Sequence, residues 1–157
     1  MTVYPLFSPQ SLIAEGSANY GIEIAFPRDE RADFERRVLF PAAGLDPARA
    51  AEYYSVFALT DRLSYAQNEA ARNYLNGRID RDAAAAWLSR YSLSAPARSA
   101  QRVRFIDDYR SYVINYNLGK DLVRAYVERQ AGSADPAKRW PVFVDLLSSP
   151  RLPSGLR

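Results

Sequence analysis

Histidine and cysteine are both absent from this chain of 157 residues, and methionine occurs once. Without them there is no Ser-His-Asp triad, no Cys-His pair and no HExxH zinc helix. Disulfide and thiolate chemistry are excluded as well, although a lack of cysteine does not fix the compartment. No phosphate loop of the Gly-x4-Gly-Lys type and no dinucleotide fingerprint occurs. Long apolar runs are missing too: none approaches the roughly 20 residues needed to cross a bilayer. The start, Met1-Thr2-Val3-Tyr4-Pro5-Leu6-Phe7, lacks the basic and long apolar regions of a signal peptide. These features lead to the expectation of a cytoplasmic protein with no membrane partner. A surplus of one charge is also wanting, with 21 basic against 18 acidic residues. No basic run exceeds two residues, whereas a phosphate-tracking surface needs clustered cations. A nucleic-acid partner is therefore not expected.

Present instead are a 48% hydrophobic content, a 13% aromatic content and 11 tyrosines. One domain with a real core fits this length. Proline and glycine divide it into helices expected near 9–26, 28–40, 47–76, 81–91, 96–131 and 136–148. Ser8-Pro9, Asp46-Pro47 and Asp135-Pro136 read as caps followed by a first-turn proline, and Asp80 as a further cap. Pro27 should end the first helix, while Gly77 and Gly132 should stop two others. The helix over 47–76 carries Tyr53, Val56, Phe57, Thr60, Leu63, Ala66, Ala70 and Tyr74 at helical period. A bend is expected near Gly119, and the tail from Pro150 to Gly155 reads as coil. No strand pattern is present. The fold class is all-α, an irregular bundle of about six helices in a single domain over 1–157.

Two constellations carry possible chemistry. In the first helix Glu15, Asn19 and Glu23 recur every fourth residue, which gathers them on one stripe. The rest of that helix is apolar and small, and a buried carboxylate needs a partner such as a cation or a metal. An amphipathic helix with this stripe toward water is the plainer reading. Gly16 and Gly21 cost about 1 kcal/mol each inside a helix, which points to close packing at both. Glu15 and Glu23 alone are weak grounds for a glycosidase-like acid/base pair. In the second constellation Tyr109, Tyr112 and Tyr116 share a helix face by spacing. They form either a core seam or a source of hydroxyl donors to an oxyanion. Asn115, Asn117 and Gly119 beside them are poor helix formers.

Ser11-Leu12-Ile13-Ala14-Glu15-Gly16-x-Ala18-x-Tyr20-Gly21 resembles the EG-x-A-x-Y helix of a bacterial family of uncharacterised, mostly helical, gluzincin-type metallopeptidase-like proteins. Tyr116-Asn117-Leu118-Gly119-Lys120 is similar to that family's Y-x-(I/L)-G element, and Leu122-Val123-Arg124 to the LR that follows it. Phe143 to Pro153 is similar to the closing stretch, with two departures. Val144 stands where the family has His after the Phe, and Ser148-Ser149-Pro150-Arg151-Leu152-Pro153 replaces the usual G-x-PL ending.

The likeness spans nearly the whole chain but only the C-terminal portion of the family's helical zincin-like domain. It implies that Glu15 corresponds to the third zinc ligand and that Tyr116 is a candidate transition-state contact. Asn19, Glu23 and Arg124 are further candidates. In the full-length relatives zinc is the cofactor, held also by two histidines on a helix that would lie before residue 1. A catalytic zinc needs three protein ligands, so this chain alone is expected to bind no zinc and to be inactive. Its expected partners are the missing N-terminal half or a second copy meeting it through an exposed apolar face. The alternative is a non-catalytic helical module that binds a partner protein.

Overall fold

The computed structural model describes residues 5–26 and 29–156. They are all-α, with no strand among the described residues. Within the chain read as one helical domain, contacts gather into two compact units, residues 29–113 and the remainder on either side of that span.

Unit 1 contains α1 (Gln10–Ala25), α8 (Asn117–Ala131), α9 (Pro136–Ser148) and a 3-10 turn over Pro153–Leu156. Its core joins Ile13, Tyr20 and Ile24 of α1 to Val123, Tyr126 and Val127 of α8 and Phe143 and Leu146 of α9. The Tyr20 and Phe143 rings meet edge to face at 5.9 Å, a favoured aromatic geometry. The tail is coil over 150–152, as expected, but Pro153–Leu156 turns into the 3-10 stretch. Leu156 is 1% exposed within this core, and Arg129 Nη2 donates to its carbonyl at 2.8 Å. One buried leucine is enough to dock a short segment, since full burial is worth about 2 kcal/mol.

In unit 2, α2 (Glu30–Phe34), a π turn (Glu35–Leu39) and α3 (Phe40–Ala42) run on without a break. The widened turn lies just before Pro41, whose ring would clash with the carbonyl four residues back in a regular helix. A 3-10 turn (Pro47–Arg49), α4 (Ala50–Asp61), α5 (Ser64–Leu75), α6 (Arg81–Tyr91) and α7 (Pro96–Tyr109) complete the unit. Ala70, Ala84, Leu88 and Val103 form its core, with Tyr74, Ile79 and Trp87 against it. Tyr54 of α4 turns inward, and burial together with the Glu35 carboxylate pushes its phenol up to about 12.

Three capping expectations match atom for atom. Asp46, Asp80 and Asp135 accept hydrogen bonds from Ala48, Ala83 and Ala137 backbone N–H groups at 2.9, 2.8 and 3.0 Å. Gly77 and Gly132 have φ of 68° and 58°, left-handed conformations that glycine adopts without strain. Other expectations need correcting. Pro9, not Ser8, occupies the cap of α1, and Ser8 makes no side-chain cap bond there. Pro27 lies outside the described residues.

The helix expected over 47–76 is two helices, with Leu63 N–H bonding back only three residues to Thr60. Thr60 Oγ1 donates to the Phe57 carbonyl at 2.9 Å, the local competition that weakens Thr, Asp and Ser in helix interiors. The helix expected over 96–131 ends at Tyr109, where Arg110 takes φ 53°, a conformation costly for a residue with a Cβ. A 3-10 stretch (Arg110–Asn115) leads into α8. The interruption therefore falls before α8, and Gly119 sits inside a helix rather than at a bend.

Candidate glycine crossing and ion-pair site in unit 1

Of the stripe on α1, Glu23 meets α8. The two helices approach so closely at Gly16 and Gly119 that a Cβ added at Gly16 would collide with the Gly119 carbonyl group. A Cβ at Gly119 would lie 2.6 Å from the Leu12 carbonyl oxygen and 3.2 Å from Gly16 Cα. The packing inferred from the helix cost of Gly16 is thus a backbone-to-backbone contact. At Gly21 the neighbour is the Phe143 ring, 3.5 Å from the position of an added Cβ, which is ordinary contact.

Two turns along α1 from this crossing, Glu23 meets a pair of cations on α8. Arg124 donates from Nη2 at 2.5 Å and from Nε at 3.1 Å, and Lys120 Nζ lies 2.8 Å away. Lys120 and Arg124 are four residues apart, so they present one face to the carboxylate. Burial pushes the Glu23 carboxyl upward, but the hydrogen bonds and charges of Arg124 and Lys120 outweigh it and hold the group below its ordinary value. Arg124 also reaches Asp121 at 3.5 Å. A two-pronged guanidinium contact of this kind fixes orientation as well as charge.

The remaining sequence candidates are placed as follows. Asn19 donates from Nδ2 to the Glu15 backbone carbonyl at 2.8 Å, a bond within its own helix. Glu15 is half-buried and adjoins Gly16. Tyr116, also half-buried, is the residue just before α8, three positions from Gly119. Glu15 and Tyr116 therefore stand within a turn of the same crossing. Tyr109 and Tyr112 belong to unit 2, with rings 6.0 Å apart, while Tyr116 belongs to unit 1. The helical period that would align the three stops at Tyr109.

Lys120 was not among the sequence candidates. Its signal was available: two cations four residues apart on one face of a helix complement an acid on another. Among the described residues no three Asp or Glu side chains form a group able to hold a metal. None of their helices is long and apolar enough to cross a membrane. Compared with family models, with curated proteins and with solved structures, the chain matches none.

Proposed function

We propose that unit 1 is the carboxylate-bearing wall of a zinc-peptidase-like site, with Glu15 as the metal ligand and Tyr116 as the transition-state contact. The observation that supports this reading is the Gly16–Gly119 crossing, which sets Glu15 and Tyr116 within one helical turn of a common point. The likeness of the two segments that meet there to the EG and Y-x-(I/L)-G elements supports it as well. The donor set of this chain alone does not fit a catalytic zinc, which takes three protein ligands with a strong share of His or Cys. No step of hydrolysis is assigned to it. A histidine-bearing wall would have to come from outside this sequence, and Glu23, Lys120 and Arg124 would serve to hold α1 against α8.

Equilibrium dialysis with zinc, followed by a reading of the coding sequence upstream of the Met1 codon, tests this proposal. The expected results are no stoichiometric zinc on this chain and an in-frame HExxH-type motif upstream. In the longer product Glu15→Gln should then lower zinc occupancy by 10-fold or more, as expected when a ligand is lost. Unchanged occupancy in that variant, or an upstream region with no histidine helix, would sink the reading.

A second reading, a non-catalytic helical interaction module, is favoured by a different observation. Tyr53, Val56 and Leu59 of α4 are 49%, 53% and 61% exposed, although apolar helix faces are normally covered.

A further inference from the structure

We infer that the outer face of α4 pairs with the same face of a second copy of this chain. The inference rests on the interaction-module reading and names its partner. On α4, Ala50 is the one buried residue. Asp29, Ala32, Asp33 and Arg36 line a recess with Ala50, Ala51 and Tyr54, so the inner face is set by α2 and the turn after it. Tyr53, Val56 and Leu59 project from the other side.

Beside them Phe40 and Leu45 help to line an apolar recess of about 320 Å³, and Phe40 meets Tyr53 edge to face at 5.7 Å. Leu45 is 56% exposed. The face is thus a broad patch with a hollow at one end.

Three features favour a second copy over another occupant. The first is charge. From Tyr53 to Thr60 no residue is charged, whereas Arg49 and Glu52 stand at one end and Asp61 and Arg62 at the other. An uncharged, aromatic-rich centre with a charged rim is the composition of an interface core. The second is self-complementarity. If two α4 helices cross antiparallel about a two-fold axis at Val56, residues whose numbers sum to 112 face each other.

Val56 then meets itself, Tyr53 meets Leu59, and the Arg49/Glu52 end of one copy lies by the Asp61/Arg62 end of the other. Acid and base are available on both sides, and the helix dipoles oppose favourably. The third is exposure. Tyr53, Val56, Leu59 and Leu45 are 49%, 53%, 61% and 56% exposed, so much of each apolar side chain is free to be covered by a partner.

The chain has no cysteine of its own, which makes Val56→Cys a clean probe. We expect sedimentation to show twice the mass of one chain at tens of micromolar, falling to one on dilution. Mild oxidation should link Val56→Cys to itself in high yield. Val56→Asp should shift the association midpoint at least 10-fold upward in concentration, while Leu147→Glu, at an exposed site in unit 1, should leave it in place. A single-chain mass at every concentration, or no linked Val56→Cys product, would overturn the pairing. Maleimide labelling separates the two failures. A monomer whose Val56→Cys reacts rapidly loses only the second copy as partner, whereas one whose thiol is shielded has no free face, and the module reading falls with it.

Discussion

Helices α1 and α4 are both apolar, 16 and 12 residues long, yet one is buried along much of its length and the other hardly at all. Six residues of α1 are buried against one of α4. The difference lies in side-chain size at the contact. In α1 the packed positions include Gly16 and Ser17, so α8 can come within backbone distance and the neighbouring Ile13, Tyr20 and Ile24 fill the flanks. In α4 the apolar positions are Tyr53, Tyr54, Val56, Phe57 and Leu59, distributed around the helix. Bulk on all sides lets one neighbour take the Tyr54 side and leaves the opposite side open. Apolar content sets how much a helix gains from burial, but small residues decide how closely a partner helix can come.

The largest test of this contrast is Gly16→Ala. On helix propensity alone the change should stabilise by about 1 kcal/mol. The collision with Gly119 backbone, which has no side chain to move aside, should reverse that sign and cost about 2–3 kcal/mol. Urea denaturation followed by far-ultraviolet circular dichroism measures it, and a rise in midpoint would mean the two backbones have room. Gly16→Val should be worse still.

Next in size is Glu23→Gln, which removes the acid from the Lys120 and Arg124 pair. Because the Glu23 side chain is 38% exposed, solvent screening limits the loss to about 0.5–1 kcal/mol. The direction with pH follows from its lowered carboxyl. Its contribution is complete above the unfolded value near 4.5 and disappears as pH falls through the lower folded value. The parent and variant denaturation midpoints should therefore converge on acidification. A gap that persists at pH 2 would assign the loss to packing instead of charge.

The smallest effect belongs to α4. At concentrations where the chain is a single copy, Val56→Ser should change stability by less than about 0.5 kcal/mol, because the side chain is half exposed. A loss of 2 kcal/mol in dilute thermal melts would show that α4 is covered within its own chain and would erase the contrast with α1.

Much of this architecture was legible from local chemistry. Asp46, Asp80 and Asp135 announce helix starts because a short carboxylate can reach a free N–H two or three residues on. Gly77 and Gly132 announce stops because their backbone adopts a conformation that other residues resist. The breaks at Leu63 and Arg110 were not legible. Thr60, Asp61 and Ser64 weaken a helix only slightly, and Arg110 carries its positive φ with no glycine to mark it. Tertiary partners were the hardest to see. The stripe Glu15, Asn19, Glu23 was evident at helical spacing, but its three members have different surroundings. Glu23 pairs with residues about a hundred positions away, and nothing in the first helix names them. Likewise Gly16 signalled close packing, while the identity of Gly119 as its neighbour depended on α8 returning to α1.

The Gly16–Gly119 crossing also has a genetic consequence. A damaging change in a packed core can often be relieved by trimming the residue opposite, and second-site suppressors of that kind map contacts. Here neither residue has anything to trim. A strain carrying Gly16→Ala should therefore yield reversion at codon 16 itself, and no suppressor at codon 119.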